Sequence, residues 1–90
     1  MDGLWYVYLV RCKDKSLYCG TTNDIQHRVH MHNMKIGAKY TAGRTPVVLV
    51  YTEKCGTQSS ACVREYRIKQ MTKEEKENLA AQYVTKNRRS

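Results

Sequence analysis

The chain predicts an α+β domain: a small three-stranded antiparallel sheet flanked by three helices, in the order β-β-α-β-α-α. Three observations support this. Two short apolar runs separated by a polar break make a hairpin near the N-terminus. One isolated strand-like run, Val47 to Tyr51, occurs later. Two helical patterns then fill the C-terminal part. Ninety residues suit one small domain, whose core can hold one sheet and a few helices but no enclosed cavity for a large cofactor.

Trp5 to Val10 is rich in aromatic and β-branched residues, which fit a pleated, half-buried surface. Lys13-Asp14-Lys15 interrupts it, with Asp as a turn former, and Ser16 to Gly20 returns as the second strand. Thr21-Thr22-Asn23-Asp24 is a cluster of N-capping residues. A helix is expected from about Asp24 to Asn33, with Ile25 and Val29 as its apolar edge. Met34 to Pro46 reads as a loop punctuated by Gly37, Gly43 and Pro46. Val47 to Tyr51 has apolar residues on both alternating sets, which predicts a strand covered on both faces, and Pro46 is tolerated at its start. Glu53 to Gly56 is expected to leave the strand. Thr57, Ser59 or Ser60 can cap a helix reaching about Met71. Thr72 and Glu75 form a capping box for the last helix, which should turn Leu79, Ala80, Tyr83 and Val84 to the core. The domain is expected to span 1–85, with 86–90 as a frayed basic tail.

Sixteen Lys and Arg against eight Asp and Glu leave a formal charge of +8. Such a surplus suggests a polyanionic partner, since each phosphate neutralised by a cation releases counterions. The distribution is more informative than the total. From Ile25 to Thr52 there is no acidic side chain, while Arg28, Lys35, Lys39, Arg44 and all three histidines lie there. Lys39-Tyr40-Thr41 joins a cation for phosphates to an aromatic ring that can stack on an unpaired base. No apolar run approaches the roughly 18–20 residues that span a bilayer, and no leader is expected before the first strand. A cytoplasmic protein is expected, with Cys12, Cys19, Cys55 and Cys62 reduced and too irregularly spaced for a zinc knuckle.

Four residues of the first unit can do chemistry together. Tyr8 and Tyr18 stand on the two strands of the hairpin, and Arg28 and His32 are four apart on the helix that follows. Gly20 lies between strand and helix, where a missing Cβ lets a ligand or another backbone approach. Two phenols, a guanidinium and an imidazole can therefore face one cleft. On the helix after Thr57, Ala61, Glu65 and Lys69 share a stripe. Glu65 is the only acidic residue between Glu53 and Glu74; among Arg64, Arg67 and Lys69 it can be a surface salt-bridge partner, or the one carboxylate that holds a hard divalent cation.

This set resembles the GIY-YIG nuclease domain of excision-repair incision subunits, phage homing endonucleases and some restriction enzymes. The two tripeptides that name the family appear as Tyr6-Val7-Tyr8 and Tyr18-Cys19-Gly20. The arginine ten residues after Tyr18 and the histidine four beyond it match as Arg28 and His32. The likeness covers nearly the whole chain. Arg28 to Asn33, Gly37-Ala38-Lys39-Tyr40-Thr41, Arg44, Pro46 and Met71 to Lys76 look like short stand-alone bacterial members.

The resemblance implies a metal-dependent endonuclease that hydrolyses DNA phosphodiester bonds. Tyr8, Tyr18, Arg28, His32 and Glu65 are its expected catalytic set, with Glu65 holding one Mg²⁺ or Mn²⁺. Substrate contacts are expected from Tyr6, Gly20, Lys39, Tyr40, Thr41, Arg44, Lys69 and Asn78. Asn78, thirteen residues after Glu65, matches an asparagine that contacts the active site in many members. Either tyrosine can serve as the base. Some members carry a lysine three residues after the second tyrosine, whereas this chain has Thr21, so activation by a lysine at that place is missing. The extra domains that give larger members sequence specificity are not expected here. Single-stranded or structured DNA is the expected substrate, with RNA left open and no membrane partner. The competing readings are a nucleic-acid-binding module of the same fold without turnover, and a protein-interaction domain.

Overall fold

A computed structural model describes residues 4–88. Its elements are β1 (Trp5–Arg11), β2 (Leu17–Thr22), α1 (Ile25–Asn33), α2 (Lys39–Ala42), β3 (Val48–Gly56), α3 (Gln58–Lys69) and α4 (Lys73–Arg88). The three strands form one antiparallel sheet in the order β2-β1-β3. This is the expected three-stranded sheet, with one helix more than expected.

The middle position of β1 explains its composition. Val7, Tyr8, Leu9 and Val10 are all buried, because helices cover both sides of the strand. Val7 and Leu9 pack with Cys19 and Ile68 on one face, where Met71 and Leu79 add to the cluster. Tyr8 and Val10 pack with Cys12 and Val47 on the other, against Ile25 and Val29 of α1. Each fully buried side chain of Leu or Ile size contributes about 1.5–3 kcal/mol. Cover on both faces was expected of the strand after Pro46. β1 has it in full and β3 in part: Leu49 packs on the Tyr8 cluster and Val50 and Tyr51 on the Val7 cluster, while Val48 is 61% exposed.

Two further expectations are corrected. β3 does not end at Tyr51 but continues through Gly56, because Glu53 and Lys54 pair with Val7 and Tyr6 and Gly56 pairs with Trp5. Backbone pairing with the long central strand overrides the low strand preference of these residues. Within the expected loop 34–46, Lys39–Ala42 forms a short helix whose Thr41 is fully buried.

The caps follow local chemistry. The Asp24 side chain accepts from the His27 amide at 3.1 Å, and the Thr57 hydroxyl accepts from the Ser60 amide at 3.0 Å. Thr72 and Glu75 bond reciprocally, at 2.9 and 3.1 Å, at the head of α4. Asn33 fastens the end of α1 to the start of β3: its side chain accepts from the Val47 amide at 2.7 Å and donates to the Val47 carbonyl at 3.2 Å. α4 runs past the expected domain end at 85 to Arg88. Residues 89 and 90 lie outside the described residues, as does the side chain of Val84.

Candidate active site

Tyr8 is paired across the hairpin with Gly20. A Cβ at Gly20 would lie 2.5 Å from the Tyr8 hydroxyl oxygen and 2.7 Å from Cζ. The glycine is therefore buried under the Tyr8 ring, which crosses β2 toward the outer edge of the sheet. Gly20 was expected to admit substrate; the group it admits is the phenol of Tyr8.

The phenol ends a buried hydrogen-bonded chain. Tyr8 Oη lies 2.7 Å from His32 Nε2, and His32 Nδ1 lies 2.7 Å from Thr41 Oγ1. The Thr41 hydroxyl donates to the Ala38 carbonyl at 3.1 Å, which commits its only hydrogen. This network assigns the His32 proton to Nδ1, donating to Thr41, and leaves Nε2 to accept from Tyr8. His32 is fully buried. Burial first, and the nearby Arg28 charge second, hold its pKa below the ordinary histidine value, so the ring is neutral. Burial also pushes the Tyr8 phenol well above its ordinary value. The Tyr18 phenol adds to that rise and Arg28 opposes it.

Thr41, expected at the substrate surface, is buried and serves to hold His32. Gly37 is a second support not singled out from sequence: a Cβ there would lie 2.7 Å from His32 Nδ1. The Gly37 carbonyl also accepts a long 3.4 Å bond from Arg28 Nη1. Composition marks Gly37 only as a loop residue. A buried threonine has no local signature that separates it from a surface one.

Tyr18 stands beside this chain without joining it. Its ring meets His32 edge-on at 5.4 Å and stacks on Tyr40 at 5.7 Å. Arg44 lies 4.0 Å over the Tyr40 ring and donates to the Tyr40 carbonyl at 2.8 Å. Its Nε is 2.9 Å from Asp14, a residue of the hairpin turn. Arg44 is thus already partnered by a carboxylate, while Lys39 is exposed and makes no ion pair among the described residues. Tyr6 is two residues before Tyr8 on β1 and half-buried.

Glu65 enters from α3. Its carboxylate pairs with Lys69 at 2.9 Å and its side chain is 22% exposed. It acts electrostatically on both Tyr8 and Cys19; burial, with Glu65 second, pushes the Cys19 thiol up to about 12. Lys69 in turn lies 6.0 Å from the Tyr18 ring centre. The layers on the two sides of the sheet meet here, around the outer edge of β2. A lysine therefore stands near Tyr18, supplied by α3 and not by position 21. Asn78 is exposed on α4 and has no hydrogen bond to these groups among the described residues.

No group of three or more His, Cys, Asp or Glu side chains is placed to hold a metal among the described residues. A single reachable carboxylate suits a hydrated, hard divalent ion that takes its remaining oxygens from water and phosphate. It does not suit a closed protein cage. The four cysteines are free, and Cys19 packs as an apolar residue.

A family model described as the GIY-YIG catalytic domain matches residues 4–78. Among similar proteins is a UPF0213 protein of Haloquadratum walsbyi, 52% identical over 80 residues and covering 89% of this chain and 90% of that one. A UPF0213 protein of Oceanobacillus iheyensis is 49% identical over 79 residues, covering 88% and 92%. The solution NMR structure of a UPF0213 protein from Bacillus halodurans has a TM-score of 0.56 at 40% identity, covering 87% of this chain and 83% of that one. That of a protein from E. faecalis has a TM-score of 0.58 at 34% identity, covering 99% and 91%.

Proposed function

The chain belongs to the GIY-YIG catalytic-domain family, and from that premise we propose that it is a divalent-metal-dependent endonuclease hydrolysing DNA phosphodiester bonds. The observation that carries the proposal is the buried chain from Tyr8 through His32 to Thr41, with Arg28 beside it. A tyrosine whose hydroxyl donates to a neutral histidine can accept a proton from water while passing its own to the ring. This favours Tyr8 over Tyr18 as the base. In the proposed reaction water attacks phosphorus and its proton moves to the Tyr8 oxygen. The Tyr8 proton moves to His32 Nε2, and Thr41 stabilises the resulting imidazolium through Nδ1. Arg28 makes a charge-assisted contact to the phosphate as negative charge builds. The P–O3′ bond breaks and the leaving oxygen takes a proton from solvent. Glu65 would hold the one Mg²⁺ or Mn²⁺, whose chemistry is to polarise the phosphate and stabilise the leaving oxygen.

The proposed substrate is single-stranded or structured DNA without strong sequence preference, and RNA shares the same phosphate chemistry. Tyr40, 39% exposed, and Lys39 provide an aromatic and a cation near the site. No helix among the described residues is long and apolar enough to cross a membrane, and a cytoplasmic enzyme acting in DNA repair or recombination is the proposed setting. One observation favours a second reading. Lys69 occupies the Glu65 carboxylate, as it would in a binding module without turnover. Labelled single-stranded and duplex DNA incubated with Mg²⁺, Mn²⁺ or EDTA separates the two. Metal-dependent cutting supports the enzyme; binding without cutting under every condition supports the module.

A further inference from the structure

The far side of β2 carries a second basic feature that the proposed mechanism does not use. A groove of about 310 Å³ lies between the hairpin turn and the head of α4, lined by Asp14, Lys15, Ser16, Leu17, Lys73 and Lys76. The carboxylates around it are already occupied. Asp14 accepts from Arg44 at 2.9 Å and from the Ser16 hydroxyl at 2.6 Å. Glu77 takes both Nη atoms of Arg11, at 2.9 and 2.6 Å, together with Lys73 at 2.9 Å. Glu75 is turned back to the Thr72 amide. Lys15 and Lys76 make no ion pair among the described residues.

The turn is held against α4, since the Lys15 carbonyl accepts from Lys73 Nζ and from Arg11 Nη1, both at 3.3 Å. Three ammonium groups thus line one concavity; Lys73 is matched by Glu77, whereas Lys15 and Lys76 have no carboxylate partner among the described residues, and a polyanion would relieve the repulsion. The groove and the candidate site share strand β2, with Leu17 lining the groove and Gly20 lying under Tyr8. Lys76 and Lys69 both act on the Cys19 thiol, as Glu65 does. From Gly20, under the Tyr8 ring, to Leu17 in the groove is three residues of β2. At about 3.3 Å per residue that is about 10 Å, a distance that one nucleic-acid strand covers within a few nucleotides.

We infer that this groove binds the backbone phosphates of the substrate strand a few nucleotides from the scissile position, with Lys15 and Lys76 as phosphate ligands. The inference deepens the nuclease reading and rests on it. The test compares wild type, the double variant Lys15→Ala/Lys76→Gln and Lys54→Ala. Lys54 is exposed on the opposite edge strand, and Gln at 76 keeps much of the half-buried stem. Binding of labelled oligo-dT of increasing length is followed by anisotropy against NaCl, with cleavage in Mn²⁺ measured on the same preparations.

The double variant loses about 1.4 from the salt slope on long oligo-dT, at about 0.7 per single-strand phosphate contact, and Lys54→Ala loses none. Wild-type affinity climbs with length until site and groove are both filled; in the double variant the climb stops at a shorter oligonucleotide. An unchanged slope in the double variant overturns the groove, as does an equal loss per lysine in Lys54→Ala. Wild type that binds with these slopes but never cuts leaves the groove standing and removes the nuclease reading. Wild type that binds no DNA removes both.

Discussion

Replacing Gly20 with alanine tests the site at its tightest point. The added Cβ would sit 2.5 Å from the Tyr8 oxygen and 2.7 Å from Cζ. Both are inside contact distance, and the Tyr8 ring is 2% exposed between α1 and the sheet, so it cannot swing clear. Overpacking of this kind costs about 1–3 kcal/mol. For a domain of this size that lowers Tm by roughly 4–8 °C per kcal/mol. The displaced ring also loses the 2.7 Å bond to His32. The expected result is a folded protein with a lower Tm, wild-type salt dependence of DNA binding and no measurable cleavage. Removing the hydroxyl supplies an internal control. Tyr8→Phe alone costs about 1–3 kcal/mol by leaving buried His32 Nε2 without a donor. Combined with Gly20→Ala it removes the closest contact, so the two losses should be less than additive. Denaturant melts of the four proteins measure the coupling directly. Full additivity, or a Gly20→Ala protein that cuts at the wild-type rate, refutes the account of Gly20 as the space for Tyr8.

Three other outcomes are expected. Glu65→Gln should bind DNA normally, melt near wild type and fail to cut, because the exposed part of its pair with Lys69 limits that pair to under about 1 kcal/mol; undiminished cleavage in Mn²⁺ removes Glu65 as the metal ligand, and lost folding marks it as structural. Lys39→Ala and Arg44→Ala should each flatten the salt dependence of binding by about 0.7 for single strands, and Asp14→Asn should raise affinity by freeing Arg44; slopes equal to wild type exclude these contacts. His32 binds its proton less readily folded than unfolded, so stability falls as pH drops below the ordinary histidine pKa of about 6.5 and levels off below the folded value, at no more than about 1.4 kcal/mol per pH unit; melts between pH 7.5 and 5 should show this in wild type and lose it in His32→Gln, and equal pH profiles reject it.

What was legible in the sequence was what local chemistry determines. Asp24, Thr57 and the Thr72–Glu75 pair cap their helices because a side-chain oxygen within three residues suffices. The aromatic and β-branched residues of Trp5 to Val10 likewise mark a strand, although its cover on both faces, with Val7 and Leu9 on one side and Tyr8 and Val10 on the other, was not read from them. The remainder depended on partners distant in sequence. α2 has no side-chain cap of its own, and its Thr41 is tied to His32 nine residues earlier. Glu53 to Gly56 extend because β1 is there to pair with them. The proposed choice of Tyr8 over Tyr18 as the base rests on a bond spanning 24 residues. Arg44 read as a free cation because Asp14, thirty residues away, is not visible as its partner in a linear pattern.

The placement of charge also argues that binding and chemistry are separable. The chain from Tyr8 to Ala38 is buried and neutral: its phenol is protonated, its imidazole has a lowered pKa, and its hydroxyl is committed to a carbonyl. Such groups release no counterions from a nucleic acid. The cations proposed to do so stand at or near the surface on both sides of β2, at Lys39 on α2 and at Lys15 and Lys76 beside α4. Variants of the buried chain should therefore change stability and cleavage while leaving the salt slope alone. Variants of the surface lysines should change the slope while leaving Tm alone. Arg28 is the one residue expected to move both cleavage and slope, because it is half-buried beside His32 and carries a charge that a phosphate can meet. An Arg28→Ala protein with wild-type salt slope but no cleavage would place its charge on the Tyr8–His32 pair alone, and would remove it from the phosphate.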